Sequence, residues 1–151
     1  MSTDFIRLRT PDSFNAGGAH NLPGHLGILI TEVTPARVSG ELPVIESVMA
    51  PNGFLHAGTV VTLADTLCGY GCVANLPADA IGFTTIELKS NHVSTAREGS
   101  IAGVATPVHR GKTTQVWDAI VTHKESGRTL AVFRCTQLVI YAQVKTPNPS
   151  A

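Results

Sequence analysis

Apolar and polar positions alternate from Leu26 to Thr34 (LGILITEVT), and a second short run follows from Arg37 to Val44; the two predict a hairpin. A loop comes next, Met49 to Leu55, carrying the turn signal Pro51-Asn52-Gly53. From Gly58 to Asn75 the period changes. Val60, Leu63, Ala64, Leu67, Gly71 and Ala74 recur every three or four residues, which predicts a helix with one apolar face ended by Leu76-Pro77. Four strand-like runs follow: Gly82 to His92, Ser100 to His109, Thr113 to Lys124 and Arg128 to Val144. Arg110-Gly111-Lys112 and Glu125-Ser126-Gly127 supply turns between them. In the last run Leu130, Val132, Arg134, Thr136, Leu138 and Ile140 share one side. Ala131, Phe133, Cys135, Gln137, Val139 and Tyr141 share the other. This is an α+β pattern. Its simplest packing is a curved antiparallel sheet wrapped around one central helix, which hides the helix's apolar stripe. Residues 1–23, with Gly17-Gly18 and Pro23, predict a loose arm or a short helix, and the Pro- and Ser-rich tail at 145–151 predicts fraying. With no repeat and no linker, a single domain over 1–151 is expected.

Composition narrows the function classes. The chain is 43% hydrophobic and 15% charged, enough for a sizeable core. Its 11 basic and 11 acidic residues cancel and form no basic stripe, which argues against a nucleic-acid partner. No apolar run approaches the ~18 residues of a membrane span, and the charged first residues lack the apolar core of a secretory signal. Three cysteines, Cys68, Cys72 and Cys135, are too few for a disulfide framework, so a reducing, cytoplasmic setting is expected. Cys68 and Cys72 lie four apart on the predicted helix and are expected in the core. The six histidines show no metal-ligand spacing, so no metal site is expected. No Gly-x-Ser-x-Gly elbow supports a serine hydrolase. Trp117 is expected in the core, bordering an acyl pocket at most.

The predicted helix is poorly built for stability. Gly69 and Gly71 each cost ~1 kcal/mol relative to Ala, and Asp65 sits in mid-helix although Asp prefers helix starts. Gly69 lies one turn beyond Asp65 on the same face, which predicts a carboxylate beside open space; the plainer reading is a solvated Asp near Thr62 and Thr66. His56-Ala57-Gly58 stands where the helix begins. Free N–H groups there form an anion site that can stabilise an oxyanion on an attacked acyl carbonyl. Asp65 is eight residues past Ala57, about 12 Å along the axis. A base and an oxyanion donor must each come within roughly 3 Å of one reacting group. One helix cannot supply both, whereas two antiparallel copies can. A symmetric dimer with two shared sites is therefore expected.

The stretch Asn52 to Tyr70, NGFLHAGTVVTLADTLCGY, resembles the signature of hotdog-fold acyl-CoA thioesterases, the PaaI-like and Arthrobacter-type 4-hydroxybenzoyl-CoA branch. That family carries Gly-x-x-His-Gly-Gly before a helix with Leu-Ala-Asp or Leu-Ala-Glu. The resemblance continues in Thr85 to Asn91, in His109-Arg110-Gly111-Lys112 and in Thr136 to Ile140, covering about residues 26–142 in order. It implies the hotdog fold and hydrolysis of an acyl-CoA to free acid and CoA. CoA is then part of the substrate and no cofactor is needed. It places Asp65 as general base or nucleophile, the Ala57 N–H on the thioester carbonyl, His56 as a positioning group, and Gly58 as the kept second glycine. It also implies that Arg110, Gly111, Lys112 and Thr113 meet the phosphates of CoA, with Arg97 a second cation of that kind and pairs of dimers a common assembly. Two positions depart from the family. Ala50 replaces an Asn or Gln, with Asn52 the nearest substitute, and Gly69 replaces a Ser or Thr. The acyl pocket is expected around Thr62, Cys68, Gly69 and the Met49–Leu55 loop. The competing functions are an enoyl-thioester hydratase or dehydratase of the same fold, and a non-catalytic acyl-CoA-binding protein.

Overall fold

Helix α3 (Ala57–Ala74) buries one face and part of a second against a sheet that curls around it. The computed structural model describes residues 5–142. The six strands are β1 (Leu29–Thr34), β2 (Arg37–Pro43), β3 (Ala80–His92), β4 (Ser100–Arg110), β5 (Thr114–His123) and β6 (Thr129–Tyr141). They form one antiparallel sheet in the order β1-β2-β4-β5-β6-β3. Period-two alternation decides which side faces the helix. On β6, Ala131, Phe133, Cys135, Gln137 and Val139 are buried, while Val132, Arg134, Leu138 and Ile140 are exposed.

The helix fits the sheet through glycines. Gly40 on β2 and Gly103 on β4 are cross-strand partners. A Cβ on Gly103 would stand 2.5 Å from a Leu67 methyl, and one on Gly40 would stand 2.9 Å from the other. Leu67 therefore sits in a notch made by two missing side chains. On the helix itself, a Cβ at Gly71 would stand 2.5 Å from the ring of Trp117, which is wholly buried. Gly71 weakens the helix locally and seats the largest core side chain.

Three expectations are changed or sharpened. The run beginning at Leu26 is not all strand. A short helix α2 (Leu22–Leu26) ends at Gly27, whose φ of 78° is left-handed, and β1 starts only at Leu29. Of the two alternatives expected for the N-terminal segment, a loose arm or a short helix, the described residues show helix. After a short turn at Phe5–Arg7, helix α1 (Pro11–Gly18) starts with a reciprocal Thr10–Ser13 capping box and stacks Phe14 on Tyr70 of α3, ring centroids 4.3 Å apart. Third, α3 is 18 residues long with mean hydropathy 1.2, long and apolar enough by those measures to cross a membrane. The length was expected; Thr, Gly and Asp interrupt any continuous apolar run within it, and the sheet covers most of its surface. The first four residues and the tail expected to fray from Lys145 lie outside the described residues.

Candidate active site

The start of α3 leaves one donor free. His56 is the N-cap, with extended φ and ψ of −67° and 133°. Its ring folds back so that Nδ1 accepts from the Gly58 N–H at 2.8 Å. A Cβ on Gly58 would stand 2.9 Å from that nitrogen, so the glycine permits the fold-back. The Thr59 N–H donates to the His56 carbonyl at 3.0 Å. The Ala57 N–H has no acceptor among the described residues and points into the helix-start field. Because Nδ1 accepts, the neutral His56 ring carries its proton on Nε2, on an exposed side chain free to donate outward. Below this, Thr59 is buried with its hydroxyl on the Val48 carbonyl at 2.9 Å, which anchors the first turn.

Asp65 lies two turns further along, half-buried, above a depression of about 360 Å³ formed with Thr85, Ile86, Glu87 and Leu88 of β3. Burial pushes its carboxyl above the ordinary carboxylate value. The Thr85 hydroxyl, 3.3 Å from Oδ1, works in the opposite direction. Ala57 and Asp65 are separated by eight residues on a continuous helix, so one copy does not bring them to the same atom.

The remaining predicted site residues divide between the two ends of α3. Asn52 sits exposed at the loop tip, its Oδ1 accepting from the Phe54 N–H at 3.3 Å in an Asx turn. Arg97 lies 4.4 Å above the Phe54 ring and lines a cleft of about 570 Å³ with Val44, Met49 and Ala50. Thr62 gives its hydroxyl to the Gly58 carbonyl at 2.8 Å. At the opposite end, Arg110 Nη1 donates to the Pro35 carbonyl at 3.1 Å and to Asn75 Oδ1 at 2.9 Å. The Gly111 N–H is taken by the Thr114 carbonyl, and the Thr113 carbonyl by the Val139 N–H. Lys112 is exposed, with its carbonyl accepting from the Tyr141 hydroxyl.

Two pocket expectations fail. Gly69 does not open space beside Asp65: the Phe83 ring of β3 fills it, 3.2 Å from where a Cβ would be. Cys68 does not line a pocket either. It is buried in the core, and its contact with Cys135, then burial, raises its thiol well above the usual value. Cys72 is likewise buried and pushed up to about 12 by burial and by Cys135. All three cysteines are free thiols.

Two residues near Asp65 escaped sequence reasoning: Thr85, which touches the carboxylate, and Gln137, which touches Thr85. Gln137 carried a usable signal, being the amide among the inward-facing residues of β6.

A sheet wrapped around one long helix is the hotdog arrangement of thioester-processing proteins. The chain belongs to the thioesterase superfamily: the family profile of that description matches residues 52–131. It is 33% identical to the 1,4-dihydroxy-2-naphthoyl-CoA hydrolase of Escherichia coli over 137 residues, 89% of this chain and 97% of the relative. It is 34% identical to the Listeria monocytogenes protein of the same name over 111 residues, 74% of this chain and 89% of the relative. The crystal structure of a thioesterase from Haemophilus influenzae superposes with a TM-score of 0.84 at 26% identity, covering 93% of this chain and 96% of the other.

Proposed function

We propose that the protein hydrolyses acyl-CoA thioesters to a free acid and CoA in sites shared between two copies of the chain. The observation that carries this reading is a division of roles along α3. The free N–H lies at its start and the half-buried carboxylate two turns on. In an antiparallel pair the Ala57 N–H of one copy polarises the thioester carbonyl, with His56 Nε2–H beside it. Asp65 of the other copy deprotonates water, or attacks the carbonyl itself to form an anhydride. The CoA thiolate leaves in either case. No cofactor enters.

The open edge of β3 supports the pairing, because it lies beside Asp65 and carries Ile86 and Leu88, 55% and 43% exposed. Outward-facing Ile120, Val132, Leu138 and Ile140 offer an apolar face on which two dimers pair. Pairing also brings the Arg110–Thr113 tip of one copy toward the helix start of the other. Lys112 and Arg97 then remain the cations free for the phosphates of CoA, while Arg110 keeps the C-terminal end of α3 in place. Buried free thiols suit a cytoplasmic setting.

Two relatives named for an aromatic acyl-CoA make aromatic esters of the PaaI-like and 4-hydroxybenzoyl type the first substrates to try. Thiol release over a panel of aromatic and aliphatic acyl-CoA esters tests the reading. Turnover is expected for aromatic esters, and Asp65→Asn is expected to lower it by at least ~100-fold, the scale of a lost general base. Near wild-type turnover in that variant would sink the assignment. Loss of the enoyl absorbance of a 2-enoyl-CoA without thiol release would make the protein a hydratase. Binding with neither reaction would make it a binding protein.

A further inference from the structure

Beneath Asp65 runs a set of polar groups that the reaction above does not use. Thr85 on β3 and Gln137 on β6 are cross-strand partners, and Gln137 is fully buried. Thr85 Oγ1 stands 2.9 Å from Gln137 Oε1 and 3.3 Å from Asp65 Oδ1. Gln137 Nε2 stands 3.3 Å from Cys135 Sγ. A hydroxyl has one proton and cannot donate to both oxygens. Turning the amide by 180° leaves every heavy-atom position occupied and resolves the conflict. Nε2 then donates to Thr85 Oγ1, the hydroxyl proton goes to Asp65, and Oε1 accepts from the Cys135 thiol. Each of the three close contacts in the set now joins one donor to one acceptor. The inward neighbours of Gln137 on β6 are Cys135 and Val139. An apolar side chain would fill such a position without the desolvation cost of an amide. The ladder shifts register between Thr85 and Glu87, where Ile86 bulges and the strand turns Thr85 toward the helix.

We propose that Gln137 is a positioning residue, which orients the Thr85 hydroxyl so that its proton points at Asp65 and fixes that carboxylate toward the β3 depression. The proposal rests on Asp65 being the reacting group. The other titratable groups beside Asp65 are Cys68 on its own helix, which in turn contacts Cys135 of β6, and Glu87 on the exposed rim of β3. Burial favours the neutral acid at Asp65, and a hydroxyl donor favours the carboxylate. Removing Gln137 frees the Thr85 hydroxyl to rotate and weakens that donor.

The test is a ¹³C carboxyl titration of Asp65, read beside the acid limb of kcat/KM. Gln137→Met and Thr85→Val are each expected to move the Asp65 midpoint up by about one pH unit, the scale of a lost hydrogen bond to an ionised group. Gln137→Glu has nearly the same shape but takes the Thr85 proton, and is expected to move it further. Thr85→Ser keeps the hydroxyl and should titrate as wild type. The acid limb is expected to follow the titration in each case. A wild-type midpoint in Gln137→Met and Gln137→Glu overturns the proposal, and a merely structural amide would give that result even with reduced stability. A shifted midpoint with an unmoved acid limb would leave the relay standing and remove Asp65 from the reaction. Should Gln137→Met fail to fold, the contrast between Gln137→Glu and wild type decides.

Discussion

The two edges of the sheet are treated differently. At β1, Asn15 of α1 closes the strand: its Nδ2 donates to the Ile30 carbonyl at 3.0 Å and its Oδ1 accepts from the Ile30 N–H at 2.8 Å. One side-chain amide thus takes the place of a neighbouring strand. At β3, thirteen residues form the other edge, and among the described residues no side chain hydrogen-bonds its backbone. Unpaired edges invite other strands, and proteins blunt those they do not use. The contrast fits the proposed pairing, in which β3 is the edge offered to a second copy, and Asp65 lies beside it.

The largest expected effect comes from spoiling the open edge. Lysines at Ile86 and Leu88 place charges on its flanks and should give a folded monomer in sedimentation velocity. That monomer has neither shared site, so its turnover should fall by at least ~1,000-fold, the combined scale of a lost base and a lost oxyanion donor. A folded monomer with normal turnover would break the link between edge and site.

A smaller effect concerns the energetics of that edge. The raised Asp65 value means that the folded state binds this proton more tightly than the unfolded chain does. Stability from this group is present at low pH, below the unfolded carboxylate value, and declines as pH rises through the folded value. Ionised Asp65 therefore destabilises the fold at neutral pH. Asp65→Asn is expected to melt about 1–4 °C higher at pH 7 while losing activity, and to lose that advantage in acid. A lower melting temperature at pH 7 contradicts it. The smallest effect on turnover belongs to the closed edge. Asn15→Ala leaves both Ile30 groups to water and should cost about 1–2 kcal/mol in urea unfolding, with turnover nearly unchanged. A large loss of turnover would show that the closed edge also serves the site.

Much of this was legible along the chain where the determinants are local. The three- and four-residue spacing from Val60 to Ala74 marked α3, and alternation in β6 separated its two faces. His56, Ala57 and Asp65 stood out because their helix positions set their distances. The rest depended on partners distant in sequence. Gly69 read as open space because nothing local announces Phe83 above it, and Gly71 read as a defect because Trp117 comes from β5. The Thr85–Asp65 and Thr85–Gln137 contacts span 20 and 52 residues. The short, polar, glycine-containing sequence of α1 left a loose arm and a short helix both open, and what decides for the helix is the stacking of Phe14 on Tyr70.

The central claim is that one site takes its N–H from one copy and its carboxylate from another. It can be tested by complementation. Ala57 is the first residue of α3, where proline is favoured, and the extended His56 before it tolerates a following proline. Ala57→Pro therefore deletes the N–H with the helix intact. Chains carrying Asp65→Asn and chains carrying Ala57→Pro should each be nearly inactive. Co-expressed in equal amounts and paired at random, they should recover about a quarter of wild-type turnover, because half the dimers then hold one intact site of two. A mixture no more active than its parents would contradict the shared site.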